Sequence, residues 1–314
     1  MRKGTGTGHI GAGTEGMHTT EPGIFRSTEN DPAYNLAAEE CILDSGVCPS
    51  LVLYENRDAV VIGKNQNPWV ECSSDVVSGS GVPLFRRVSG GGTVIHGPGN
   101  LNIGFVVPRD GFDRKNQLGL IARALSVVGV DVEVTDRGDL YVRGHKVSGN
   151  AMCYRKKHVL HHATLLVHAD LERLLPAITA ADLPIRTHAV ASKRARVANL
   201  SEFIEHLQTE TVSDCIVSEF MNVYPDAVLR PFPGRDETCV REGVERHASW
   251  EWVFGRTPRF EYCVGQSRGI EVSSGLIRSV PDGLRASPSA SDLVGRRFDP
   301  GPLEALYYDS NGTN

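Results

Sequence analysis

The chain has 314 residues, 33 basic and 38 acidic side chains and a net charge of −5, a balance that argues against a general nucleic-acid binder. No apolar run approaches the roughly 18–20 residues that span a bilayer, so a membrane protein is not expected. At 40% hydrophobic and 23% charged the composition is globular, and at about 150 residues per domain the length predicts two domains, or one with an appendage.

Residues 1–16 are rich in Gly and Thr with no apolar period and predict a disordered tail, extended to 1–20 in the domain scheme, with Met17 an alternative first residue. A glycine match at Gly6, Gly8 and Gly11 has no strand before it and no helix signal after it, so it is not a dinucleotide site. Asp31 and Pro32 are start signals for a helix that ends near Gly46. Strands are expected at Leu51–Tyr54, Ala59–Ile62, Leu84–Val88, Thr93–Ile95 and Asn102–Val107. Leu118, Ile121, Leu125 and Val128 give Asp113–Val128 the period of one amphipathic helix. Further strands are expected at Val132–Val134, Leu140–Val142 and Val159–Val167, and helices at Leu171–Leu175 and Leu200–Val223. Strands that adjoin rather than alternate with helices favour an α+β fold. After Pro233 the pattern changes: Trp250, Trp252 and Phe254 precede a Gly/Pro/Ser-rich stretch, Val264–Ser291. The domains are therefore set at 21–245 and 246–314, the second a small accessory unit. The Asn311-Gly-Thr sequon reads as chance.

The seven cysteines are odd in number and irregular in spacing, without a C-x-x-C pair. That predicts neither a disulfide framework nor a zinc ribbon. A reducing compartment, the cytoplasm, is expected, with the mitochondrion as the alternative.

The strongest chemical signal is Arg86-Arg87-Val88-Ser89-Gly90-Gly91-Gly92-Thr93. Glycines in a strand–turn–strand unit cost about 0.5–1 kcal/mol each against Ala. They let backbone approach a ligand, and successive N–H groups form an anion nest. The two arginines would add donors for phosphate or carboxylate. No G-x-x-x-x-G-K-[ST] loop is present. A second signal is His145-Lys146-Val147-Ser148-Gly149-Asn150-Ala151, where Lys146 can reach a bound anion as a point charge. The histidines of His158–His168 have no partners at metal-ligand spacing, so no metal site is assigned. Asn100 and Asn102, after His96, can satisfy turn backbone or contact a ligand. Cys153 is a possible acyl-carrying nucleophile or a buried hydrophobe.

In this order the motifs resemble the lipoate–protein ligase and lipoyltransferase family. The resemblance rests on Asn30-Asp31-Pro32, on Glu39-Glu40, and on Gly63-Lys64-Asn65-Gln66-Asn67-Pro68-Trp69. It includes the Arg86–Val94 run with His96 and Gly99-Asn100, the Gly144–Gly149 run, and His161-His162-Ala163-Thr164-Leu165-Leu166. It continues through Arg196-Val197, Asn199-Leu200 and Trp250–Phe260. It implies mixed β-sheets flanked by helices, of the biotin/lipoate ligase type. It also implies activation of lipoate with ATP and Mg²⁺ to lipoyl-AMP. Transfer to one lysine of an acceptor domain would follow, the acceptors being acyltransferase subunits of 2-oxoacid dehydrogenases or the glycine-cleavage H protein. By resemblance Lys146 is the catalytic residue. Arg87, Ser89, Gly90, Gly91, Gly92, Thr93, Val94, Ile95, Asn100, Asp139, Ser148, His162 and Thr164 complete the lipoyl and nucleotide site, with Asp139 on the adenine side. Cys153 stands where relatives often carry a basic residue, for which Arg155 is a substitute. Two other readings stay open: a transferase that takes a preformed acyl donor without ATP, and a non-catalytic lipoyl-adenylate-binding module.

Overall fold

The computed structural model describes residues 21–263, 269–281, 292–301 and 303. The expected N-terminal tail, its glycine match, the sequon at Asn311 and much of the stretch 264–291 lie outside the described residues. The chain opens with β1 (Gly23–Arg26) and α1 (Pro32–Ser45), then β2 (Ser50–Glu55) and β3 (Ala59–Ile62). Two short helices follow, α2 (Pro68–Glu71) and α3 (Ser74–Ser78), then β4 (Leu84–Arg86), β5 (Val94–His96) and β6 (Asn100–Pro108). After α4 (Arg114–Val127) come β7 (Glu133–Val134), β8 (Leu140–Val142), β9 (His145–Tyr154) and β10 (His158–Leu166). Next are α5 (Leu171–Leu174), β11 (Ile185–Thr187), α6 (Thr209–Val223), β12 (Val228–Arg230), α7 (Thr238–Ala248) and α8 (Trp250–Val253). The last described strands are β13 (Phe260–Tyr262), β14 (Ile270–Ser273) and β15 (Leu276–Ser279).

Local signals explain the helix ends. The Asp31 carboxylate accepts from the Ala33 N–H, and Gly46 at φ 85° closes α1 in the left-handed region. Asp113 caps α4 through the Lys115 N–H. The long helix expected at Leu200–Val223 is two pieces. Asn199 and Glu202 form a capping box around a short 3-10 turn, Leu200–Glu202. His206 then turns left-handed at φ 59°, and α6 starts afresh at Thr209.

Eight strands form the main sheet in the order β12-β1-β2-β6-β10-β9-β8-β7. The first three are parallel and the rest antiparallel. The fold is thus α+β with a mixed sheet. Odd-numbered residues of β2 and β6, such as Leu51, Leu53, Ile103 and Phe105, face α4 and α6 in the largest core cluster. Val52, Tyr54, Val106 and Leu160 face α1 on the other side. Full burial of each such side chain stabilises by about 1.5–3 kcal/mol. Against α1 lies α7, where a Cβ at Gly243 would stand 2.6 Å from the Ala37 Cβ. The structure joins Cys41 of α1 to Cys239 of α7 by a disulfide across 198 residues of sequence. This corrects the expectation of an unpaired set: packing of two distant helices fixes the pair, which spacing cannot reveal.

A three-stranded sheet, β4-β3-β5, carries the glycine-rich turn, and a four-stranded sheet, β11-β13-β14-β15, packs beyond it. The latter sheet draws β11 from the middle of the chain. Its core gathers Trp69, Phe260, Tyr262, Val272 and Phe298. Among the described residues no helix is long and apolar enough to cross a membrane.

Candidate active site

Two adjoining cavities open between the glycine-rich turn, β9, β10 and the segment before Leu200. The inner one, about 290 Å³, is walled by Leu36, Tyr54, Val61, His96, Asn102 and Ala163. The outer one, about 380 Å³, is walled by Ile95, Ser148, Leu166, Ile178, Arg194 and Val197. Thr93, Val94, Lys146, Gly149, Thr164 and Lys193 belong to both. Lys146 therefore stands at their junction. Its Nζ lies 2.9 Å from Asp139 Oδ1, and its backbone N–H donates to the Arg196 carbonyl at 2.8 Å. Ser148 Oγ is buried in the outer wall with no hydrogen-bond partner among the described residues, as a donor left for a ligand would be.

The arginines do other work than expected. Arg86 is fully buried and donates to the carbonyls of Gly63, Lys64, Gln66, Trp252 and Val253 and to Thr257 Oγ1. It binds backbone rather than an anion, because the strand register of β4 points it away from the cavities. Arg87 lines the inner cavity, but four of its donors go to Ser89 Oγ and the carbonyls of Val61, Gly90 and Gly92. Burial pushes it down to about 10, which leaves it cationic at neutral pH. It shapes the turn. Gly91 sits at φ 85°, and a Cβ at Gly63 would approach the Gly91 carbonyl oxygen to 2.3 Å, so side chains are excluded at both positions.

Of the residues expected in the site, Arg87, Gly91, Gly92, Thr93, Val94, Ile95, Asp139, Lys146, Ser148, His162 and Thr164 come together on the cavity walls. Three do not. Gly90 offers its carbonyl to Arg87 instead. Asn100 is buried at the start of β6, with Nδ2 toward Asn102 Oδ1. Asn102, two residues on, reaches the inner cavity in its place. Ser89 is 1% exposed, with Oγ 2.6 Å from His162 Nε2. His162 Nδ1 donates to Glu39 Oε2 at 3.0 Å. Since Ser89 lines neither cavity, this chain orients His162 and presents no nucleophile. Asp139 lines the inner cavity rather than the outer one. Arg155, the expected substitute, pairs instead with Glu40 and Asp44. Cys153 packs among Ile42, Leu43 and Val52, and burial raises its thiol. Neither residue lines a cavity. Among the described residues no group of three His, Cys, Asp or Glu side chains forms a metal site.

Sequence reasoning missed Tyr54, His96 as a wall residue, Glu71 and Ser192-Lys193, and it named Asn150 only as part of the Lys146 motif. The basic run Lys193-Arg194 beside the Arg196-Val197 motif was the available signal. Tyr54 and Glu71 gave none, because strand register and helix placement bring them in.

A family model described as the Lipoyl protein ligase A/B catalytic domain matches residues 31–221. The chain belongs to this family. Lipoate-protein ligase A of Psychrobacter cryohalolentis is 37% identical over 252 residues, which cover 77% of this chain and 74% of that one. P. falciparum LipL1, solved in complex with lipoate, has the same fold, with TM-score 0.67 and 21% identity over 92% of this chain and 94% of that one. A lipoate-protein ligase A solved with ATP matches at TM-score 0.63 and 25% identity, over 74% and 98%. The chain is thus an enzyme of the lipoate–protein ligase class, built on the lipoate ligase fold.

Proposed function

We propose that the chain activates lipoate with ATP and then passes the lipoyl group to a lysine of a lipoyl acceptor domain. The observation that carries this reading is Lys146 Nζ at the junction of an apolar inner cavity and an outer cavity edged by Lys193 and Arg194. An eight-carbon acyl chain with its ring suits the inner cavity, and a nucleotide suits the outer one. The carboxylate oxygen attacks the α-phosphorus, the bond to pyrophosphate breaks, and a mixed anhydride forms. Lys146 brings the two anions together and offsets the charge that grows between them. Asp139 holds the ammonium in place. Lys193 adds positive charge at the shared mouth, and Ser148 Oγ gives the nucleotide a hydroxyl partner. The acceptor amine then attacks the carbonyl carbon, AMP leaves, and the amine proton goes to solvent.

Mg²⁺ arriving with ATP would need one or two protein carboxylates at most. The carboxylates on the two cavity walls are already engaged, Asp139 with Lys146 on the inner one and Glu71 with Ser192 and Thr93 on the outer one, so no residue of this chain is assigned to the ion. Carried by the nucleotide, it would neutralise part of the phosphate charge. The acceptors are those the resemblance implies, acyltransferase subunits of 2-oxoacid dehydrogenases and the glycine-cleavage H protein.

The test is pyrophosphate release from ATP, with and without lipoate and without acceptor. Release that requires lipoate supports activation. No release, with lipoyl transfer from a preformed donor intact, replaces the ligase reading by the transferase one. Binding of lipoyl-AMP without either reaction would mark a non-catalytic module. Lys146→Ala should keep the fold, since the side chain stands at a cavity wall. It should lower the first step by about 10²–10³-fold, the range for removal of one preorganised charge donor. Unchanged turnover in that variant would remove Lys146 from the mechanism.

A further inference from the structure

Residues 190–193 wall the inner cavity, and 191–195 with Val197 wall the outer one, so that Lys193 serves both and Arg194 the outer. Backbone bonds fix the two ends of this segment: the Val190 N–H donates to Asn65 O at 3.1 Å, and Arg196 O accepts from the Lys146 N–H at 2.8 Å. Between Ala191 and Ala195, among the described residues, Ser192 supplies the hydrogen bonds to the rest of the protein. Its N–H donates to Glu71 Oε1 at 3.0 Å, and its hydroxyl donates to Glu71 Oε2. The same Oγ accepts from the Thr93 N–H at 2.8 Å and from Gln66 Nε2 at 3.0 Å. Thr93 Oγ1 lies 3.1 Å from Glu71 Oε2. A Cβ at Gly92 would already touch Ser192 Oγ at 3.1 Å.

Glu71 is 7% exposed and pairs with no cation among the described residues, where hydrogen bonds from Ser192 and Thr93 meet it. Such charge-assisted bonds are worth roughly twice neutral ones. Glu71 lines the outer cavity and not the inner one, and no step of the acyl-transfer chemistry uses the group. We propose that Glu71 is a positioning residue: it latches Ser192, and with it Lys193, against Gly92–Thr93, and so holds the nucleotide-side wall closed. The proposal rests on the ATP-dependent reading above for its kinetic consequence, though not for the latch itself.

The test compares Glu71→Gln, Ser192→Ala, their double variant and Ser192→Thr in the full chain. A glutamine keeps one acceptor for the Ser192 N–H, but its amide nitrogen cannot accept the hydroxyl. Lipoate-dependent pyrophosphate release gives KM for ATP and kcat, and hydrogen exchange of residues 190–197 is read on the unliganded protein. Loss of one charge-assisted bond predicts about a tenfold rise in KM for ATP in each single variant. With kcat within about threefold, the loss belongs to binding rather than to the chemical step. Exchange in 190–197 should quicken by about tenfold. The double variant should resemble either single one, because the two residues act as a unit, and Ser192→Thr should keep wild-type values. Unchanged KM and exchange, or fully additive losses, would overturn the latch. If the wild-type chain releases no lipoate-dependent pyrophosphate, the ATP reading fails, and the exchange comparison alone then decides whether the latch exists.

Discussion

His96 and His161 show how single buried groups link the site to pH. Burial, with the nearby charge of Arg87, pushes His96 down to about 3. Burial, with His162 and Arg114, pushes His161 down to about 4. Both imidazoles are therefore neutral in the folded chain. His96 Nδ1 accepts from Asn56 Nδ2 at 2.8 Å. His161 Nε2 donates to Asn150 Oδ1 at 3.3 Å, while Asn150 Nδ2 donates to Gly138 O at 2.6 Å. That chain supports the turn which presents Asp139 to Lys146. The unfolded imidazole titrates near 6.5, so below that pH the unfolded state binds more protons than the native one. Their contribution is whole above about pH 6.5 and is lost as pH falls toward 4, by about 2 kcal/mol each at pH 5. Urea midpoints taken from pH 7.5 to 5 should fall accordingly, and His161→Gln, which keeps a donor for Asn150, should flatten the fall. A midpoint that stays level over that range would mean the imidazoles are protonated in the native state.

Among the elements, α1 has the most varied duties. Leu36 walls the inner cavity, Glu39 orients His162, Glu40 pairs with Arg246 of α7, and Cys41 bonds Cys239. A crosslink over so long a loop stabilises by about 5 kcal/mol where loop closure in the unfolded chain dominates. Thiol titration in denaturant should give five free cysteines, the seven of the sequence less the bonded pair. Reductant should lower the urea midpoint of the wild-type chain and leave Cys41→Ser unmoved. Seven titrating thiols would remove the crosslink. The ends of α1 and α4 were legible in the sequence because capping is local: Asp31, Gly46 and Asp113 act within one turn. The central strands were legible because both faces of β2, β3 and β6 are buried, which leaves continuous apolar runs. The disulfide, the break before α6 and the roles of Arg86 and Glu71 were not legible. Each depends on which distant element arrives beside the residue. The site divides along the same line. Gly91, Gly92, Thr93 and Lys146 announced themselves by an unusual local pattern, whereas Tyr54 looks like any strand tyrosine until α1 and β5 close over it.

At the scale of the whole molecule, Arg86 joins parts that are far apart in sequence. The Nη1 edge of its guanidinium holds the carbonyls of Gly63, Lys64 and Gln66, which shape the loop under the glycine-rich turn. The Nε and Nη2 edge holds Trp252, Val253 and Thr257 at the entrance to the four-stranded sheet. Its own carbonyl accepts from His247 Nδ1 at 3.1 Å and Trp252 Nε1 at 2.7 Å. Trp69 completes the junction, packed edge-on against Phe298 with ring centroids 5.1 Å apart. The three tryptophans of the chain, Trp69, Trp250 and Trp252, thus all sit where the C-terminal elements meet the body, and their fluorescence reports that contact. With Arg86 in place the junction should unfold with the main sheet, so tryptophan fluorescence and far-ultraviolet circular dichroism should give one urea transition. Lys offers three donors from a point charge and cannot span both edges. Arg86→Lys leaves buried carbonyls unmet and should destabilise by about 3–5 kcal/mol, the range for breaking a buried charged network. The loss should fall first on the junction, separating the two transitions, with fluorescence leading. Pyrophosphate release should fall with the fluorescence signal rather than with the dichroism, because Gly63–Gln66 sits beneath the glycine-rich turn. Coincident transitions in Arg86→Lys, or activity that follows the dichroism, would show that the C-terminal elements and the site are coupled through some contact other than this arginine.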